Sequence, residues 1–283
     1  MEMRLVLSAI GLSPHVARSD NPQGDAVWLV LVEDDEVFAA RSELAAYQIE
    51  SSTEAGIAST SRGHREPVGG GVETAAAFVA LMIAGAMMGW SSSIGEAVTR
   101  AGWVDAGLVS GGQVWRTVTA LTLHADALHL ASNLVFGTLM ITLAARHLGG
   151  GVTSLLVVIA GAAGNAINAS LHPPTHVSLG ASTAVFAALG VGVALALRPA
   201  KRSASWMRRW SPMIAGAVLL AMTGTGGENT DVGAHFAGFF AGLIAGGLAS
   251  WCPESMLRRR PVQWFAGGSA AVTIAFAWAL ALA

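Results

Sequence analysis

Three short groups of polar residues interrupt otherwise apolar stretches: His124, His129 and Asn133; Gly180 and Ser182; and His235. A serine hydroxyl is a poor nucleophile near neutrality and needs a base to take its proton as it attacks. Histidine suits that task because its unperturbed pKa lies near the working pH. Attack on an amide carbonyl creates an oxyanion, which needs donors aimed at the developing charge. His129 and Asn133 stand four residues apart, on one face of a helix, and both can donate, as can the Ser182 amide. The economical assignment is a dyad of Ser182 as nucleophile and His235 as base. Asp231 sits one helical turn before His235, too near the interface to serve as a third member. Metal binding by His124, His129 and His235 is the competing chemistry. No carboxylate or thiol joins them, and a spacing of five from His124 to His129 suits no single helix face. The expectation is no metal and no cofactor.

These side chains must be held by elements that cross a membrane. Only 12% of the 283 residues are charged, whereas 53% are hydrophobic. An ordinary soluble domain has about a quarter charged. Seventeen of the Asp, Glu, Lys and Arg residues fall within residues 1–73, so a short polar head precedes a long apolar body. A bilayer-spanning helix needs about 20 apolar residues. Charge-free intervals at Thr74–Gly95, Ala127–Ala145, 150–170, 179–197, Trp210–Gly227, Val232–Pro253 and Pro261–Ala283 predict seven spans. The third and fourth are separated at His172-Pro173-Pro174-Thr175-His176, where the prolines cannot continue a helix. Continuous rather than alternating apolarity predicts helices, not a barrel.

Basic residues mark the cytoplasmic loops. Arg146, then Arg198, Lys201, Arg202, Arg208 and Arg209, then Arg258, Arg259 and Arg260 follow the second, fourth and sixth spans. The loop 224–231 carries only Glu228 and Asp231. The expected protein is a multi-pass cell-membrane protein with its N-terminus cytoplasmic and its C-terminus outside. Spans two, four and six then run inward, and each polar group lies near a span's outer end, so all three share one depth. A ridge of small residues, Ala234, Gly238, Gly242, Gly246 and Ser250, lets the sixth span approach a neighbour closely. Such ridges commonly serve packing alone; this one ends beside His235.

Residues 1–66 predict a small cytoplasmic α/β module. The segment 27–32 reads as a buried strand, and Val37, Ala40, Leu44 and Tyr47 recur at helical spacing. A linker extends to about residue 71, a six-helix core covers 72–253, and 254–283 hold a basic loop and the seventh span. The first residues lack the form of a cleaved signal peptide. A net charge of -2 argues against a nucleic-acid partner, and the lone Cys252 cannot form an internal disulfide.

Over roughly 72–253 the chain resembles the rhomboid intramembrane serine proteases. Trp115-Arg116 matches the Trp-Arg pair of that family's first long loop. His124, His129 and Asn133 match its H-x4-H-x3-N pattern, Gly180-Ala-Ser182 its G-x-S, and Ala234-His235 through Gly238 and Gly242 its A-H-x2-G-x3-G. The resemblance implies an all-α, six-helix membrane bundle with a seventh C-terminal helix. It also implies an endopeptidase acting on transmembrane protein substrates within the lipid bilayer. By it, Ser182 is nucleophile, His235 base, and His129, Asn133 and the Ser182 amide oxyanion donors. Phe186 falls where the family usually has a tyrosine stacked on the catalytic histidine, and Thr183 replaces a usual glycine. A β-branched residue there is expected to crowd the oxyanion turn. Two other classes compete. A catalytically weak or inactive rhomboid-like protein would bind membrane clients without cutting them, but is expected to have lost Ser182 or His235. A transporter would need a continuous polar path.

Overall fold

Charge-free stretches in a bilayer can satisfy their backbone only internally, and most of this chain is accordingly helical. The structure, a computed structural model, describes residues 2–20, 26–47, 70–197, 206–224 and 230–283. Most of the expected linker, the basic loop 198–205 and the centre of the 224–231 loop lie outside the described residues.

The chain divides into two compact units, Met1–Glu66 and Pro67–Ala283. The first contains α1 (Glu2–Ala9), β1 (His15–Asp20), β2 (Ala26–Leu31) and α2 (37–47). β1 and β2 pair antiparallel, from His15 opposite Leu31 to Asp20 opposite Ala26. Leu7 and Ala40 are buried in this unit, whereas Trp28, Leu31 and Phe38 are exposed.

The second unit holds α3 (Gly71–Gly89), α4 (Gly95–Gly102), β3 (Val104–Asp105), α5 (Ala106–Ser110), α6 (Arg116–Thr119), α7 (Ala127–Leu148) and α8 (Gly150–Leu171). There follow β4 (Val177–Ser178), α9 (Ser182–Ala196), α10 (Trp206–Gly224), α11 (Val232–Ala249), α12 (Glu254–Leu257) and α13 (Arg260–Ala281). Among the described residues five helices, α3, α7, α8, α11 and α13, are long and apolar enough to cross a membrane. α9 and the apolar part of α10 are shorter. α3 ends at Gly89, six residues before the charge-free stretch does, and the Trp90 indole donates to the His124 carbonyl at 2.8 Å.

α9 is the central element, flanked by α7, α8, α10 and α11, and nearly all its side chains are buried. Glycines let α11 reach it. A Cβ at Gly242 would overlap the Ala187 carbonyl oxygen, and one at Gly238 that of Thr183. From the other side, a Cβ at Gly190 would overlap the Phe239 carbonyl. The small-residue ridge of α11 is thus the face that meets α9.

The segment between α3 and α7 is organised by Arg116, which is buried. Its guanidinium donates to the Arg100 and Trp103 carbonyls at 2.8 and 3.1 Å and to Gln113 Oε1 at 2.7 Å. β3 pairs antiparallel with β4, Val104 opposite Ser178, which ties this segment to the turn after α8. At the far end α13 packs on α8. Gln263 Oε1 accepts from the Gly151 and Val152 amides at 2.9 and 3.2 Å. Its Nε2 donates to the Leu148 and Leu257 carbonyls at 2.8 and 2.6 Å.

Candidate active site

Three helix N-termini meet at one cavity of about 880 Å³. α7 brings His129 and Asn133 in its first two turns, α9 brings Ser182 as its first residue, and α11 brings His235 in its first turn. All four line the cavity. Asp126 caps α7, accepting from the His129 amide at 2.8 Å, and Asp231 caps α11, accepting from the Ala234 amide at 3.0 Å. α9 has no side-chain cap among the described residues. Its first amides, beginning with that of Ser182, lack partners within the helix and carry the positive end of its dipole.

Gly180 shows why the residue two before Ser182 is small. Its φ of +138° is one that L side chains rarely adopt. A Cβ there would lie 2.7 Å from His129 Nε2 and 3.5 Å from Ser182 Oγ. The imidazole and the hydroxyl therefore border the same small volume, which a side chain at 180 would fill. An oxyanion formed at Ser182 would have that volume available. Asn133 is buried and donates through Nδ2 to the His129 carbonyl at 2.8 Å, so one of its two N–H groups is already engaged.

The Phe186 ring packs on His235 with centroids 4.5 Å apart and planes inclined by 36°. It restricts the imidazole without needing a hydroxyl. His124 is buried behind His129, with ring centroids 5.4 Å apart and edge to face, and does not line the cavity. Burial, reinforced by His129 and opposed by Asp126, lowers its pKa to about 4. It is therefore neutral at physiological pH. Trp115 and Arg116 also lie away from the cavity and shape the segment before α7; Gly238 and Gly242 set the α9–α11 distance.

Thr183 departs from the expected crowding. It is buried, is absent from the cavity wall, and points its Cγ2 to the junction of α8 and α11. A Cβ at Gly164 would lie 2.8 Å from that methyl, and one at Gly238 would lie 3.0 Å from it. Thr183→Gly is thus expected to leave a void and lower stability by roughly 1–3 kcal/mol, with no gain in turnover. Thermal unfolding and rate measurements on the variant check both; a faster, equally stable variant would restore the crowding reading.

The cavity wall includes two residues that the sequence reading left out of the site, His176 and Asp231. Asp231 Oδ2 lies 2.9 Å from His176 Nε2 and accepts from Asn168 Nδ2 at 2.6 Å. Burial opposes ionisation of Asp231. The Ala234 amide, His176 and Asn168 together outweigh it and hold the carboxyl below its ordinary range. The sequence offered only the proline turn and a polar residue at a span boundary as signals.

A family model for the rhomboid domain matches residues 111–252, half of the chain, and takes in every motif from Trp115 to Gly242. The chain belongs to the rhomboid family. It is 34% identical over 132 residues to Rhomboid-like protease 3 of Toxoplasma gondii. That stretch covers 46% of this chain and 50% of the relative, so the chain spans about half the length of the curated relative it matches. This rhomboid is a polytopic helical membrane protein of an intramembrane protease family.

Proposed function

We propose that this rhomboid is a serine endopeptidase that cleaves transmembrane segments of other membrane proteins near the outer membrane face. The observation that supports this most is the sharing of one cavity by Ser182, at the uncapped start of α9, and His235, with His129 beside Ser182 across Gly180. In the reaction, Ser182 Oγ attacks the scissile carbonyl carbon and its proton passes to the His235 imidazole. The oxyanion takes hydrogen bonds from the Ser182 amide, His129 and the remaining N–H of Asn133. As the C–N bond breaks, His235 gives its proton to the leaving amine. Water, activated by the same imidazole, then releases the acyl group from Ser182. No cofactor takes part.

The same reading makes α9 and α10 the fourth and fifth of seven spans. The N-terminal unit is then a cytoplasmic appendage, the basic loops are cytoplasmic and the C-terminus is outside. A reporter active only in the cytoplasm should be active after Arg202 or Arg260 and silent after Gly227; the reverse would move the cavity to the other face. For the chemistry, purified protein treated with a fluorophosphonate should carry the adduct on Ser182 by mass spectrometry. An adduct elsewhere, or none at a concentration that labels other serine hydrolases, would leave a rhomboid-like protein that binds membrane clients without cutting them.

A further inference from the structure

His172, His176 and Asp231 come from three different places: the end of α8, the turn that follows it, and the cap of α11. One ligand atom from each lies within 4.8 Å of the other two. His172 Nδ1 lies 2.9 Å from the Asn168 carbonyl oxygen. Only a protonated Nδ1 makes that a hydrogen bond, so the neutral ring keeps its lone pair on Nε2. The His172 and His176 rings stack, with centroids 4.2 Å apart and planes inclined by 22°, so their lone pairs converge on one ion only once a ring has turned. His176 Nε2 and Asp231 Oδ2, 2.9 Å apart, are already near the separation of about 3.3 Å that two ligands take on a tetrahedral zinc with bonds of about 2.0–2.1 Å. The Asn168 amide orients the carboxylate from behind.

A second feature points to the same group. Asn168 is 1% exposed, and its Oδ1 has no hydrogen-bond partner. The absence of a side chain at Gly233 lets that oxygen pack close to the start of α11. A Cβ there would overlap Asn168 Oδ1 and lie 3.1 Å from His172 Cε1 and 3.5 Å from Asp231 Oδ1. Asn168 Oδ1 is the one acceptor of this group buried without a donor, and a metal-bound water would supply one.

We infer that His172, His176 and Asp231 form a divalent metal site, best suited to Zn²⁺, at the edge of the cavity. Two imidazoles and a carboxylate are a borderline-hard donor set with no thiolate, and three protein ligands leave a coordination position for water. This set differs from the His124, His129 and His235 combination, which lacks a carboxylate. The bound ion links the turn leading into β4 to the start of α11, four residues before His235. It replaces one hydrogen bond with a coordinate link between two cavity walls. The inference does not depend on the chain being a protease.

Zn²⁺ titration of the full chain, purified in detergent and stripped with a chelator, tests it against a competing fluorescent indicator. A single equivalent should bind with a dissociation constant of about 10 µM or tighter. Co²⁺ in its place should give visible bands of nitrogen and oxygen ligation. Thermal unfolding should shift upward with Zn²⁺, since an ion bound only to the folded state stabilises it. His172→Gln and His176→Gln should each weaken binding by about tenfold or more and lose the thermal shift. His129→Ala and His235→Ala should retain both. His172→Gln carries the test if His176→Gln fails to fold, which the metal-free unfolding temperature reports. Undiminished binding in His172→Gln, loss of binding in His235→Ala, or no equivalent bound by the parent protein would overturn the site.

Discussion

Ser182→Ala is expected to abolish cleavage of a transmembrane substrate, lowering the rate by about 10³-fold or more, and His235→Ala should match it. The double variant should be no slower than either, because nucleophile and base act as one unit and the first loss removes the covalent route. Asn133→Ala is expected to be milder, about 10²-fold, as when a single oxyanion donor is removed. The measurement is a single-turnover rate on a reconstituted substrate, with thermal unfolding alongside. Ser182 is only partly buried and the alanine leaves no polar orphan, so stability should barely change. Cleavage persisting in Ser182→Ala, or a double variant additively worse than the singles, would remove the dyad.

A large loss of stability is expected at Gly242. Its missing Cβ leaves room for the Ala187 carbonyl oxygen, a backbone atom that cannot rotate away. Gly242→Ala must push α11 off α9, and overpacking of this kind costs about 1–3 kcal/mol, sometimes more. The displacement moves His235 relative to Ser182, so the rate should fall further than the folded fraction does. Gly247→Ala, five residues on in the same helix, makes a clean comparison because no atom lies within 4 Å of its missing Cβ. There, alanine should be neutral or stabilising by up to about 1 kcal/mol, through helix propensity alone. Unfolding in graded denaturing detergent separates the two. Equal effects at both positions would mean that propensity, not close approach, governs α11.

The contrast between these glycines marks how far the sequence could be read. Hydropathy is summed over twenty or more residues, so the long apolar helices and the position of each polar group along them are legible. That sufficed to gather His129, Asn133, Ser182 and His235 at one end of three helices. A repeat of four along α11 likewise marks a face. What periodicity lacks is information on the partner across that face. The β3–β4 pair joins residues more than seventy positions apart through two residues on each strand, too few for any alternation to show. The Asp231 contacts with His176 and Asn168 are equally non-local, and each residue alone reads as a cap, a turn or an interhelical bond. The Thr183 side chain packs at the junction of α8 and α11, a contact that its neighbours in sequence do not announce. α3 ends before the charge-free stretch does, because Ser91–Ser93 are uncharged yet lie beyond the helix.

Gln263 has a consequence for how the protein is made. All four hydrogen-bonding capacities of its amide are used, and all four partners belong to the α7–α8 corner or to α12. α13 leaves the ribosome after every other helix described, so the Gly151 and Val152 amides and the Leu148 carbonyl must wait for it. Until then those groups can bond only water or headgroups at the corner. Insertion of the earlier helices and completion of the bundle are therefore separate events, and a nascent chain stalled before residue 263 would span the membrane with that corner still open.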